Sequence, residues 1–562
     1  MTATTTSTKF PVVQTKPIPT GSPGYEQKRA DLLKTFYDKI PAEYLLPREI
    51  IDNPPTNVTD IPRTCGILTA DELAITVDYD AFSLAEAIAS RKLTSVDVAT
   101  AFCKRAIIAH QLTCCLTQWF MDTALEQARK LDEYLATHGK TIGPLHGVPI
   151  SIKEHMPIAG TFSSGGYFGS IKKDDQDCHM MRILREAGAV FYVKTNQPQT
   201  IMHLESDSHW GRVLNPYNIH LSAGGSTGGE AALIAMKGSA LGVGTDIGGS
   251  VRGPSAFCGV YGFKSTSYYL PQEGFLATPF PAELNVLCST GPMCRSLRDM
   301  DFFMNVVLAT KPFRLDPRLV PIPWTGLSSP AKRPLKFGLM FNDGVIQPQP
   351  PVQKAMEWAR SQLSDPKHAD IVQVKKFRPF DPAQAWSKIR RMYWPDGGAA
   401  AKDGIEAAGE PVHPLSEWIW KDAVPFGHVT ATDVSTMRGE RDKYRLEFAK
   451  DWAAQDVDVV IGPAFVGPAC AHDTAFYWNY TSLFNFVDYP GVVFPTPIKS
   501  SSSDRYDTGY TPLSDNCKHV KQLWEEGNFD EAPIGLQVIA PKYHDNELFG
   551  ALLQLKELLN LP

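Results

Sequence analysis

The sequence predicts an α/β fold in which helices cover both faces of a mainly parallel or mixed central sheet. Three observations carry that reading. Short apolar runs of strand length recur along the chain, helical stretches with recognisable start signals separate most of them, and no run approaches the roughly 18 apolar residues of a membrane-spanning helix. Of 562 residues, 43% are hydrophobic and 21% charged, which supplies apolar material for a large core and excludes a disordered or fibrous chain.

The elements follow in order. Residues 1–25 are rich in Thr, Ser and Pro, lack the apolar stretch of a signal peptide, and are expected as a disordered tail. Residues 26–75 read as a polar, Pro-interrupted helical arm, and 76–562 as the body. Thr94 to Asp97 forms a capping box, and Val98, Phe102 and Ala106 follow at helical spacing. A second box, Thr123 to Glu126, opens a helix with Leu125, Ala128 and Leu135 on one face, and Gly139 stops it. Strands are expected at Val148 to Ile152, Ala189 to Val193, Leu241 to Thr245, Phe337 to Phe341, Val457 to Ile461, Val492 to Phe494 and Gly535 to Ile539. The stretch 324–334 reads as an internal linker, and 350–450, rich in Trp and helix formers, as a helical insertion or cap over the sheet.

Charge and cysteine usage narrow the function. With 55 Lys and Arg against 61 Asp and Glu, the net charge is −6, and no basic stripe offers a footprint for nucleic acid. The ten cysteines are scattered, without a CxxC pair or zinc-ligand spacing, so they read as small buried hydrophobes in a reducing, cytoplasmic setting, with no metal expected.

Glycine is the feature to explain: 10 of the 32 residues from Ser222 to Gly253 are Gly. No Gly-Lys-Ser/Thr follows them as in a phosphate-binding loop, and Gly242 to Gly248 lacks the GxGxxG spacing of a dinucleotide fold. Thr227 to Glu230 itself reads as a capping box for a helix over 230–237, so Ser226 and Thr227 have a bland reading as cap residues. Gly224 to Gly228 also fits the G-x-S-x-G nucleophile elbow, although Asn218 to Ala223 is a poor strand to precede one. Gly248-Gly249-Ser250 follows a better strand, and consecutive glycines there aim several backbone N–H groups at one spot, an oxyanion hole if a nucleophile stands beside it. A serine nucleophile needs a base, and the histidines at 146, 155, 203, 209 and 220 share no spacing. Lys153 ends the run Val148 to Lys153, where Val148, Ile150 and Ile152 take one strand face and Ser151 and Lys153 the other. Buried there it would lose its proton readily; at a strand end reaching water it would be an ordinary surface lysine.

The runs GGSTGGEAALIA, TDIGGSVRGPSAFCG and GPLHGVPISIKE (143–154), with minor matches at 194–200, 289–296, 456–464 and 532–540, resemble the amidase signature family over roughly residues 65 to 555. Segments 66–76 and 93–116 look most like its fungal acetamidase and general amidase branch. The resemblance implies an α/β/α sandwich, no cofactor, and a triad of Ser250 as nucleophile, Ser226 as the bridging serine preceded by a cis peptide, and Lys153 as base. It implies an oxyanion hole from the backbone of Ile247, Gly248, Gly249 and Ser250, and Asp246 with Arg252 as an ion pair fixing that loop. Thr227 replaces a serine common in the family and keeps its hydroxyl. Ile201 matches a position that lines the acyl pocket in relatives, with one residue fewer between Pro198 and Gly211. The implied reaction converts a carboxylic acid amide and water to the acid and ammonia, on short aliphatic or aryl amides, with fatty amides as the alternative and relatives suggesting a homodimer. Two other readings keep the fold: the glutaminase subunit of an amidotransferase complex, and a binding protein without catalysis.

Overall fold

The computed structural model describes residues 10–276, 285–427 and 429–561. Its core is one sheet of eleven strands: β1 Leu116–Trp119, β2 Pro149–Lys153, β3 Val190–Thr195, β4 Leu241–Asp246, β5 Tyr261–Lys264, β6 Ser289–Cys294, β7 Leu335–Leu339, β8 Val372–Lys376, β9 Val459–Pro463, β10 Gly491–Lys499 and β11 Pro533–Ile539. They lie side by side as β1-β3-β2-β4-β6-β5-β10-β11-β9-β7-β8. Pairing is parallel for β3–β2, β2–β4, β9–β7 and β7–β8 and antiparallel at the other junctions, so the sheet is mixed.

Both faces are covered, as alternation along β5 shows. A Cβ on Gly262 would meet Ser255 of the helix Arg252–Cys258, whereas the ring of its neighbour Phe263 packs edge-on, 5.1 Å away, against Phe549 of the helix Asp545–Leu559. Strands buried on both faces read as continuous apolar runs, which is why β2, β3, β4 and β9 stood out in the sequence.

Several expectations shift. All seven expected strands are present with ends moved by up to a few residues, and β1, β5, β6 and β8 join them. The helix expected from Thr123 begins at Met121, with Phe120 at its cap position and no side-chain cap. Thr94 does cap its helix, Ser95–Thr113, by accepting from the Asp97 N–H. Residues 350–450 are mainly helical but carry β8, which extends the sheet edge beside β7. The stretch 324–334 connects elements of one layered body, with Trp324 packed on Phe549 at 4.7 Å.

Of the expected tail, residues 1–9 lie outside the described part. Val12 and Val13 are buried, the Val13 N–H donates to the Gln111 carbonyl, and the first helix already starts at Pro23. Residues 10–25 are therefore packed on the body rather than free. The reason is local: Phe10, Val12 and Val13 form an apolar cluster at the start of the segment, and Phe10 stacks on Tyr37 at 5.1 Å.

Candidate active site

Lys153 ends β2 and Asp246 ends the adjacent, parallel β4, so the turns that follow them open on the same edge of the sheet. Ligands of open α/β sheets bind at such carboxyl ends. A cavity of about 610 Å³ opens there, lined by His155, Ile201, Ser226, Thr245, Ile247 and Ser250 on its inner side and beyond by residues of 268–276, 286–288 and 315–319, mostly apolar but with Gln272, Glu273, Asp316 and Arg318 among them.

The Lys153 side chain is fully buried. Its Nζ lies 2.6 Å from Ser226 Oγ and 3.2 Å from Thr245 Oγ1. Burial lowers its pKa to about 7, against the opposing pull of Cys288, Asp246 and Glu230, so at neutral pH a large share of it is the free amine. Thr245 Oγ1 in turn lies 3.0 Å from His155 Nε2, whose pKa burial and then the Lys153 charge lower to about 3. His155 is therefore a neutral partner of the threonine.

Ser226 stands in the turn before the helix Gly228–Ala235, and the peptide bond that precedes it, Gly225–Ser226, is cis. Ser250 stands in the turn between β4 and the helix Arg252–Cys258. The two turns are joined by the Thr227 N–H donating to the Ser250 carbonyl at 3.0 Å, and both serines face the cavity. The fold thus brings together residues 153, 226 and 250, which the sequence holds far apart.

The turn 247–250 is held from behind. Asp246 Oδ1 accepts from the Gly249 N–H at 2.8 Å, and Oδ2 from the N–H groups of Val251 and Arg252. The Arg252 guanidinium binds the same carboxylate at 3.0 and 3.1 Å and continues to Thr481 O, Asn485 Oδ1 and Gln537 Oε1. Burial alone would raise the Asp246 carboxyl; Arg252, with lesser help from Lys264 and Asn485, outweighs it and holds the group well below the usual carboxylate range. One expectation is corrected here. The Gly249 N–H is engaged by Asp246 and does not serve the cavity, whereas no acceptor among the described residues engages the N–H of Ile247, Gly248 or Ser250.

The capping box expected from Thr227 to Glu230 is also corrected. Thr227 makes no side-chain cap; its hydroxyl points at the Thr245 carbonyl, 3.4 Å away. Glu230 turns into the sheet, where it accepts from Ser151 Oγ of β2 and from Thr195 Oγ1 of β3 at 2.7 Å. Thr195 is the register partner of Lys153, and Ser151 that of Gly242 in β4. A Cβ at Gly242 would lie 1.8 Å from Glu230 Oε1, so glycine is what leaves room for the carboxyl. Burial raises Glu230 to about 7 despite those two hydrogen bonds. Glu230 was missed because S/T-x-x-E is a local pattern and nothing local says that the acid faces inward. The stretch Asn218–Ser222, whose sequence makes a poor strand, does form one, though in a two-stranded ribbon with Leu214–Asn215 outside the main sheet.

The family model described as Amidase matches residues 97–549. The chain belongs to the amidase family. It is 36% identical over 520 residues to an amidase of Gibberella zeae, covering 90% of this chain and 94% of that one. It is 34% identical over 552 residues to an acetamidase of Aspergillus oryzae, covering 96% and 99% of the two chains. Among solved structures it is similar to a fatty acid amide hydrolase, with a TM-score of 0.89 and 33% identity over 96% of this amidase-family chain and 95% of that one. Among the described residues, no helix is long and apolar enough to cross a membrane.

Ile201 lines the cavity with a backbone φ of 63°, next to Thr200 at 64°, a conformation β-branched residues rarely adopt. Another polar cluster lies apart from the cavity lining: Asp207, His413 and Asp473 could bring ligand atoms within 4.8 Å of one another. Arg212 already bridges Asp207 Oδ2 at 2.7 Å and Asp473 Oδ1 at 3.0 Å, and Lys16 holds Asp473 Oδ2, so these carboxylates are balanced by cations of the chain itself.

Proposed function

We propose that this chain is an amidohydrolase working through a serine acyl-enzyme. Ser250 Oγ attacks the amide carbonyl carbon and its proton passes to Ser226 Oγ, whose own proton goes to the neutral Lys153 amine. As the C–N bond breaks, the proton returns through Ser226 to the leaving nitrogen, which departs as ammonia. Water then enters by the same relay in reverse roles, and releases the carboxylic acid and free Ser250. The N–H groups of Ile247, Gly248 and Ser250 receive the developing oxyanion; loss of one such donor costs about 2.7–4 kcal/mol in related chemistry. The observation that carries the reading is the 2.6 Å contact of a buried, proton-poor Lys153 with Ser226 in a cavity that also exposes Ser250.

A cavity of about 610 Å³ is far larger than acetamide needs and suits a ligand of drug size. We therefore favour aryl or longer-chain apolar amides over the smallest aliphatic ones. The unpaired state of all ten cysteines supports a cytoplasmic setting.

A fluorophosphonate probe with peptide mapping tests the chemistry. Label on Ser250 that disappears in Ser250→Ala and weakens in Lys153→Ala is expected; label on Ser226 alone would overturn the assignment. Ammonia release across acetamide, benzamide, indoleacetamide and oleamide ranks the substrates, and acetamide leading the series would defeat the size argument.

A further inference from the structure

Three successive peptide groups of the turn 247–250 have their carbonyl oxygens pinned by identifiable donors. The Ile247 carbonyl accepts from Tyr393 Oη at 2.8 Å, the Gly248 carbonyl from Thr481 Oγ1 at 2.8 Å, and the Gly249 carbonyl from the Gly253 N–H at 2.6 Å. These peptide bonds are trans, and in a trans peptide the C=O of one residue and the N–H of the next point in opposite directions. Fixing the Ile247 carbonyl therefore fixes the direction of the Gly248 N–H, and fixing the Gly249 carbonyl fixes that of Ser250. The Gly248 carbonyl does the same for Gly249, whose N–H indeed meets Asp246 on the far side.

Two of these donors come from the catalytic turn's own neighbourhood or from the helix Asn479–Phe486 that buttresses Arg252. Tyr393 is different. It follows the helix Pro382–Met392 in the segment 350–450, is 1% exposed, and is not among the residues that line the cavity. Ile247 itself lines the cavity. The Gly248 N–H, antiparallel to the Ile247 carbonyl, points away from the Tyr393 hydroxyl.

We propose that Tyr393 is a positioning residue of the oxyanion hole: its O–H···O=C bond to Ile247 holds the Ile247–Gly248 peptide so that the Gly248 N–H faces the reacting carbonyl oxygen. The cap is then part of the catalytic apparatus and not only a lid over the sheet. The site is built closely around this contact. A Cβ on Gly248 would lie 2.8 Å from Tyr393 Oη and 3.4 Å from Trp478 Nε1, so the glycine is what lets the phenol reach the turn. Burial, then the Asp246 charge, pushes the Tyr393 hydroxyl well above its ordinary range, which keeps it an O–H donor throughout the working pH. An oxyanion donor that is free to swing must be ordered during the reaction; one already held is worth more, because its orientation is prepared before charge develops.

The inference rests on the amidohydrolase reading above, and the experiment separates the two. Tyr393→Phe keeps the ring and removes only the donor. The expected result is a fall of about ten-fold or more in kcat with KM nearly unchanged, and a parallel loss of affinity for a trifluoromethyl ketone, which forms a tetrahedral adduct carrying the oxyanion. Binding of the carboxylic acid product, which forms no adduct, should stay within about two-fold of wild type. Thr481→Val, with the same ketone titration, is a second variant that frees the next peptide while leaving Tyr393 in place, and should weaken the adduct less than Tyr393→Phe. Wild-type adduct affinity and kcat in Tyr393→Phe would overturn the proposal while leaving the Ser250 mechanism standing. Equal weakening of ketone and product would overturn it too, since it marks a collapsed pocket. A wild-type enzyme that neither forms the ketone adduct nor takes the fluorophosphonate label overturns both readings.

Discussion

Lys153 Nζ stands 2.6 Å from Ser226 Oγ, with neither residue reaching bulk water. Among the described residues no carboxylate takes a hydrogen bond from the amine; its partners there are hydroxyls, those of Ser226 and Thr245. An ammonium group so placed lacks a counter-charge in contact, and desolvation decides the outcome by favouring the neutral amine. The lysine can then act as a base near neutral pH, where an exposed lysine would hold its proton.

The first prediction concerns pH. Because Lys153 is lowered to about 7, kcat/KM should rise with pH through that region and level off above it. Lys153→Ala should lose the rising limb and reduce the rate by about 10²–10⁴, the range for general acid–base groups. Initial rates of ammonia release from pH 5 to 10 read both quantities. A limb that persists in Lys153→Ala would assign the titration elsewhere.

The second concerns Asp246 and Arg252. Arg252→Met leaves a fully buried carboxylate with its main counter-charge gone, which typically destabilises by about 3–5 kcal/mol. The sign with pH follows from linkage. In the wild type the depressed folded pKa contributes stability that is present above the unfolded carboxylate value and lost as pH falls through the folded one. In the variant that contribution is gone, so the difference between the two proteins should be largest at neutral pH and shrink on acidification. Urea unfolding at a series of pH values measures it; a difference that grows toward acid contradicts the assignment.

The third concerns Gly249, whose φ is 126° and whose added Cβ would lie 2.1 Å from Thr481 Oγ1. Gly249→Ala should lose activity and destabilise by at least the roughly 1–3 kcal/mol of a strained backbone position. Thr481→Gly in the same chain relieves the steric clash but not the φ strain, so thermal unfolding should show partial recovery only. Full recovery would mean that backbone conformation contributes nothing there.

The fourth concerns Ile201. Its φ of 63° stores strain that Ile201→Gly releases, while the cavity loses one wall. The expected outcome is a melting temperature at or above wild type together with a substrate ranking shifted toward bulkier acyl groups. An unchanged ranking over the amide panel would remove Ile201 from the acyl pocket.

The fifth concerns Glu230. Glu230→Leu removes the carboxyl that accepts from both Ser151 and Thr195, while Ser151 Oγ keeps Ser239 Oγ at 2.6 Å and Thr195 Oγ1 the Ile152 carbonyl at 3.4 Å, so the loss is about 0.5–1.5 kcal/mol per hydrogen bond, and it loosens the helix that follows Ser226 against the strand that carries Lys153. Glu230→Gln keeps an acceptor oxygen and should retain more stability and activity than Leu. Equal behaviour of the two variants in unfolding and kinetics would deny the carboxyl this role.

The sequence by itself determined the layered α/β class, seven of the eleven strands, and the candidates Lys153, Ser226 and Ser250. The strands were legible because burial on both faces writes continuous apolar runs and the turns because close backbone approach writes glycine, while the choice of Lys153, Ser226 and Ser250 as a triad came from the resemblance to the amidase signature family. It did not reveal β6, whose run Ser289–Cys294 contains Gly and Pro, nor β5 and β1, four residues each, since such segments carry little periodicity of their own. Tertiary structure alone decided the rest. Gly242 on the next strand turned Glu230 from a helix cap into a clamp on β2 and β3. Asp246 took the Gly249 N–H out of the expected donor set. Tyr393 reached the Ile247 carbonyl across 146 residues of chain. In each case a polar group is satisfied by a partner remote in sequence, and a pattern of neighbouring residues can report that a buried polar group needs a partner but not where the fold will supply one.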